Sequence, residues 1–238
     1  MKKDQLLKER LLDIINMTPE GYLSDDLTIE DFQRIHKQFF KKIFEISSVD
    51  ISDLLGYGEF SEDATLPYKT CREFLIGTFC EEEEGYWYHW KEMFQTSLLE
   101  EAVFNRFYKK MIEYIPYCEG KRFLFYNNTF FCNMLTDGET LTGFPDWSRA
   151  GIGDFLLDFA IMDLNKPYLL IPELLWDYCR EEGIEIPNFK ERYLCMAFYK
   201  AMDCLRWHAS IDDEESCNSI VKYLHELEER VNKICKRT

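Results

Sequence analysis

Between Arg122 and Asp146 the chain changes character, and that change limits its fold more than any other feature. Phe123-Leu124-Phe125-Tyr126 is an apolar run of strand length, and Asn127-Asn128-Thr129 interrupts it. Residues 130–135 and 140–144 then flank Asp137-Gly138, a dipeptide that favours a tight type I′ hairpin turn. The rest reads as helix. Leu7, Leu11, Ile14 and Ile15 share one face of a short amphipathic helix over 4–16. Gly21 and Ser24-Asp25-Asp26 break it, and Thr28 with Asp31 resembles a capping box. The helix it opens carries Phe32, Ile35, Phe39, Ile43 and Phe44 at helical spacing. Residues 50–68, with Gly56, Gly58 and Pro67, read as a loop. Further helices are expected near 69–80, 86–96 and 98–116, and after the strand-like segment near 154–163, 170–182, 189–209 and 213–235. The expected fold class is mainly α (α+β): helices around one small hairpin sheet.

Composition narrows the function. The chain has 238 residues with 28 Lys+Arg against 44 Asp+Glu, a formal net charge of −16. Such a surface repels phosphate backbones, and the basic residues form no run longer than Lys41-Lys42 or Lys109-Lys110, so no nucleic-acid partner is expected. No apolar stretch approaches the roughly 18–20 residues needed to cross a bilayer. Phe155 to Leu164 is interrupted by Asp158 and Asp163, and the N-terminus lacks the apolar core of a signal peptide. The expectation is a cytoplasmic protein with no membrane partner. Nine cysteines without a C-x-x-C, and four histidines without an i,i+4 pair, indicate free thiols, several of them in the core.

Two spaced elements carry candidate chemistry. Asn128 and Asn133 are separated by four residues in a loop between apolar segments, and Asp146-Trp147 directly follows the hairpin's second strand. A loop Asn and a strand-end Asp brought together by a hairpin make a pair of hard oxygen ligands for Mg²⁺, as in kinases that hold the metal bridging nucleotide phosphates. Each also has a local structural reading. Asp146 can tie down the N–H groups of its own turn, and Asp154 can cap the helix that follows it. Tyr86, Trp87, Tyr88 and Trp90 read as packing rather than a ligand cage. Asp203, Asp212, Asp213 and Glu214 read either as a cleft for a polyamine-like ligand or as a solvated turn.

At these residues the chain resembles the aminoglycoside phosphotransferase family, and within it the hygromycin B kinase-like group. The family motif is His-Gly-Asp, four residues, Asn, then a metal-binding Asp-Trp and a trailing Gly-Asp-x-x-x-Asp. Here the stretch reads Tyr126-Asn127-Asn128, four residues, Asn133, then Asp146-Trp147 and Gly153-Asp154-Phe155-Leu156-Leu157-Asp158. The resemblance runs from about Gly21 to the C-terminus and takes in Gly56-Tyr57-Gly58, Trp87, Trp90, Arg192, Leu205 and Arg206. It implies a protein-kinase-like C-lobe over 21–238, preceded by a short amphipathic helix in 1–20, with Asn133 and Asp146 at vestigial Mg positions.

Two departures shape the functional expectation. The family's catalytic Asp falls on Asn128, whose amide has no lone pair basic enough to accept a hydroxyl proton, and no acidic residue lies between Glu119 and Asp137. Only 20 residues precede Gly21, the chain has no G-x-G-x-x-G, and valine is confined to Val49, Val103, Val221 and Val231, so the N-terminal β-lobe is expected to be absent. The expectation is therefore a degenerate, truncated relative or pseudokinase with a binding or interaction role and no cofactor. One alternative is an active phosphotransferase using Mg with ATP or GTP, its nucleotide site completed by a partner chain. Another is a non-catalytic binder of a cationic small molecule. A protein partner or self-association is expected over the surface an N-lobe would cover, unless residues 4–16 fold back as a substitute lid.

Overall fold

A computed structural model describes residues 2–11, 29–129, 133–137 and 139–236. The chain is mostly helical, as its periodicity requires. In order come α1 (Lys2–Leu11), α2 (Ile29–Ser47), β1 (Gly58–Glu59), α3 (Cys71–Gly77), α4 (Met93–Thr96), α5 (Glu101–Cys118) and β2 (Phe123–Phe125). There follow β3 (Leu135–Thr136), β4 (Leu141–Gly143), β5 (Gly151–Gly153), α6 (Leu156–Asn165), α7 (Ile171–Glu182), α8 (Phe189–Ser210) and α9 (Glu214–Ile234).

Helix α8 is the axis of the body. Apolar residues occur all round it, the signature of a helix buried on every side, and α5, α6 and α9 pack against it. Helix α2 closes the opposite flank through Phe32, Ile35, Phe39, Phe40 and Ile43, all buried. Its Phe39 and Phe40 meet Phe159 of α6 edge-on, at ring-centroid distances of 6.1 and 5.3 Å. Such contacts add to the area these rings bury. Cys71, Cys118, Cys179, Cys195 and Cys217 are buried free thiols, in line with their expected role as small core residues.

The sheets depart from expectation in instructive ways. The strand-like run at 123–126 forms β2, but its partner is β5, the Gly151-Ile152-Gly153 segment. That segment also pairs with β1, so it is the centre of a three-stranded antiparallel sheet ordered β1-β5-β2. Two glycines in three residues carry almost no strand propensity, yet glycine is what the packing demands. A Cβ on Gly151 would lie 2.7 Å from the Cα of Glu59, and one on Gly153 would lie 2.9 Å from the Phe125 ring. The loop expected over 50–68 therefore contains a strand, and Gly56 serves a close approach, since a Cβ there would sit 2.6 Å from the Tyr68 carbonyl oxygen.

The hairpin pairs β3 with β4, with Leu135 opposite Gly143 and Thr136 opposite Leu141. That register leaves more residues between the paired strands than the two of a type I′ turn. Asp137 closes the loop, its carboxylate accepting from the backbone N–H of Glu139 (3.0 Å) and Thr140 (2.7 Å). The helix expected over 86–96 is a single 3₁₀ turn (Trp90–Glu92) followed by one turn of α4. At the N-terminus, α1 ends its described course at Leu11; Ile14, Ile15, Gly21, Thr28, Cys132 and Gly138 lie outside the described residues. No described helix is long and apolar enough to cross a membrane.

Candidate functional site

The loop after β2 is held by the start of α6. Asp158, fully buried, accepts the backbone N–H groups of Tyr126 (2.9 Å) and Asn127 (2.6 Å) on its two carboxylate oxygens. Thr129 adds a bond from its hydroxyl to the Asp158 carbonyl oxygen at 2.5 Å. These contacts permit the left-handed backbone of Asn127, at φ 55°, which turns the chain so that the next side chain faces the hairpin. Burial pushes the Asp158 carboxyl up to about 7, against the pull of those two N–H groups and of Lys200.

Asn128 projects from this loop into the turn that follows β4. Its amide nitrogen donates to the backbone oxygen of Asp146 (3.0 Å) and to the Asp146 carboxylate (3.1 Å). Its amide oxygen accepts from the Asn133 amide nitrogen at 2.7 Å. The three residues singled out from the sequence thus form one connected group. Asp146 has φ 58°, and its other carboxylate oxygen accepts the Ser148 N–H at 3.2 Å, as its local reading required. The Ser148 bond, the Asn128 amide and the nearby Lys3 hold its carboxyl below the ordinary value, against partial burial. Tyr126 joins the two segments from beneath, its hydroxyl donating to the Pro145 carbonyl while its ring packs on Trp147 at 4.8 Å.

The chemical content of this group follows from its donors and acceptors. Among the described residues no group of three or more His, Cys, Asp or Glu could hold a metal. An amide oxygen on Asn133 and the Asp146 carboxylate nevertheless suit a hard cation that keeps several waters and takes few protein ligands. Asn128 occupies the space between them and uses both ends of its amide to do so.

Helix α1 lies beside the group. Lys3 donates from Nζ to the Phe60 carbonyl oxygen (3.1 Å) and to that of Ser148. One guanidinium nitrogen of Arg10 donates to both carboxylate oxygens of Asp53 (2.6 and 2.7 Å), and Leu7 is buried. Asp154, one residue before the N-cap position of α6, accepts the Leu156 N–H at 3.1 Å and is locked to Arg192 at 2.7 and 2.9 Å. Its helix-starting role is joined by a buried ion pair that the sequence alone does not announce.

Of the acidic residues singled out near the last helices, Asp203 and Asp213 are occupied. Asp213 caps α9 through the Ser216 N–H (3.1 Å) and contacts His208 at 2.9 Å, and Asp203 lies 3.6 Å from Lys200 and 3.2 Å from Arg206. Of the aromatic group, Trp90 is core, while Trp87 is stacked on Arg206, whose guanidinium carbon is 3.7 Å from its ring centroid. Tyr86 and Tyr88 are exposed.

Sequence reasoning missed Glu59. It accepts from Asn127 (2.8 Å) and from Arg149 (2.9 Å), and so ties the loop carrying Asn128 to β1. Nothing in the residues around it marks it out, because the strand that positions it depends on Gly151 far along the chain. Lys200 was also missed, although it is the one charged residue in the otherwise apolar run from Tyr193 to Met202.

No protein-family profile matches the chain. It is 24% identical over 165 residues to hygromycin-B 4-O-kinase from Escherichia coli, a match covering 69% of this chain and 47% of that kinase. The chain therefore spans about half the length of the curated relative it matches. Among solved structures, it superposes on a thermostable aminoglycoside phosphotransferase APH(4)-Ia in complex with AMP-PNP and hygromycin B, with a TM-score of 0.69. That alignment has 19% identity and covers 99% of this chain and 82% of the other. The apo form of a thermostable APH(4)-Ia aligns with a TM-score of 0.64 at 21% identity, over 92% of this chain and 70% of the other. The chain thus shares the fold of these aminoglycoside phosphotransferases, a kinase-like fold of helices with small antiparallel sheets.

Proposed function

We propose that this protein is a non-catalytic binding relative of aminoglycoside phosphotransferases. One observation carries the reading: an amide stands where the resemblance implies the carboxylate that takes the acceptor's proton. The Asn128 nitrogen donates to Asp146 and its oxygen accepts from Asn133, so the side chain is committed at both ends. An amide is not basic enough for proton abstraction, and turning it would break both bonds. Its work is to brace the two segments that meet at Asp146. Incubated with Mg-ATP or Mg-GTP and a panel of aminoglycosides that includes hygromycin B, the protein is expected to yield no phosphorylated product above a no-protein control. Turnover overturns the reading.

A second reading is favoured by the surviving oxygen donors. Asn133 and Asp146 would hold Mg²⁺, and the metal would supply charge neutralisation for a nucleotide phosphate. A phosphotransferase whose nucleotide site is completed by another chain would then work by positioning and electrostatics, on which phosphoryl transfer largely depends. The two readings separate on nucleotide binding. A non-catalytic protein without a nucleotide site keeps its melting temperature when Mg-ATP or Mg-GTP is added, whereas a ligand at 100 times its Kd stabilises the folded state by about 2.7 kcal/mol.

A further inference from the structure

A separate cavity of about 450 Å³ opens between the C-terminal half of α8, the Tyr86-Trp87 segment and Arg149. Lys200 lines it with a side chain only 2% exposed. Its neighbours along the helix, Phe198, Tyr199, Ala201 and Met202, are buried and apolar or aromatic. An ammonium group has three N–H donors. Among the described residues Lys200 makes no hydrogen bond, and its ion pair is with Asp203, at 3.6 Å. A buried charge left this way is costly unless something else pairs with it.

The surrounding charges define what that partner can be. Asp203 is shared with Arg206 at 3.2 Å. Although burial works against its charge, Lys200, Arg206 and Arg149 hold its carboxyl below the ordinary value. Arg149, on the cavity wall, uses one nitrogen on Glu59 at 2.9 Å. Asp158, which also acts on Lys200, is engaged by two backbone N–H groups. Among the residues lining the cavity, two cations (Arg149, Lys200) thus face one carboxylate (Asp203), an excess of one positive charge on a chain that carries −16 overall, and the lining His208 is paired with Asp213. The remaining wall is largely aromatic, made of Tyr86, Trp87 and the half-exposed Trp207 with Cys204 and His208, and one face of Trp87 already carries Arg206.

We propose that this cavity binds a small molecule bearing an oxyanion, phosphate or carboxylate, on a planar ring. The anion sits on Lys200 and Arg149, and the ring lies against Trp87 and Trp207. This ligand is opposite in charge to a polycation, and its binding does not depend on whether the Asn128 site transfers phosphate.

The test titrates the full chain with phenyl phosphate and with benzoate, read by calorimetry and by indole fluorescence. Phenol and phenyltrimethylammonium supply the neutral and cationic rings. Saturable binding of at least one anionic ring is expected, well above both controls, and the stronger anion tells phosphate from carboxylate. Charge-assisted hydrogen bonds are worth enough that Lys200→Met should weaken binding about tenfold or more. Arg149→Gln, at a half-exposed side chain, should weaken it severalfold and serves if the Lys200 variant does not fold. Failure of both anions to bind overturns the proposal. So does phenol or the cationic ring binding as tightly as the anions, or wild-type affinity in folded variants. None of these readouts involves phosphoryl transfer, so the outcome is separate from that of the activity assay.

Discussion

At the scale of single residues, buried carboxylates set the sharpest expectations. Asp158 holds the loop that presents Asn128, and burial raises its carboxyl from an ordinary 3.8 to about 7. A carboxyl with a raised folded-state value takes up a proton on folding at intermediate pH. Its favourable contribution is complete below about 4 and is lost as pH climbs through about 7. Asp158→Asn removes this titration, so wild type should lose stability relative to that variant between pH 5 and pH 8, as urea unfolding of both at each pH will show. The ion pair of Asp154 and Arg192 has side chains 0% and 3% exposed. Arg192→Met leaves a buried carboxylate without its partner, and breaking such a pair by removing one member costs about 3–5 kcal/mol. A double-mutant cycle with Asp154→Asn should recover part of that loss; additive losses would show that the pair contributes no coupling.

At the scale of elements, the long helices were legible in the sequence because 3.6-residue periodicity is a local signal repeated over many turns. Helices α6 to α9 fall within a few residues of their expected spans for this reason. The short strands were not. β5 is recognisable only through the backbone of β1, which a Cβ at Gly151 would strike, and β1 is only two residues long. In the candidate site, Asn128, Asn133 and Asp146 were legible because their spacing survives as a pattern, whereas Glu59 acquires meaning only once tertiary contacts exist and Lys200 was marked only as a lone charge in an apolar run. In the described part of the N-terminal helix, Lys3, Leu7 and Arg10 all contact the body. Leu7→Ala should cost on the order of 2 kcal/mol, at the low end for buried leucines. It should also free the amides of α1 to exchange hydrogen ahead of those in α8. Unchanged protection in α1 would mean that its polar contacts suffice.

For the whole molecule, charge is the dominant variable. At −16 the folded state suffers net self-repulsion that compactness intensifies. Salt shortens the reach of that repulsion to about 10 Å at 0.1 M and 3 Å at 1 M. The melting temperature should therefore rise with sodium chloride from low ionic strength, and a gain of about 1 kcal/mol would appear as about 2–4 °C in a protein of this size. A fall in melting temperature over the same range would show that exposed ion pairs such as Lys37–Glu181 outweigh the repulsion. The close approach at Gly151 has a further consequence at this scale. It acts as a spacer gauge: the absence of one carbon atom sets how near β1 lies, and so where Glu59 meets both Asn127 and Arg149. A larger residue at 151 would have to push β1 aside, and so would loosen both grips of Glu59 together, the one on the loop of Asn128 and the one on Arg149.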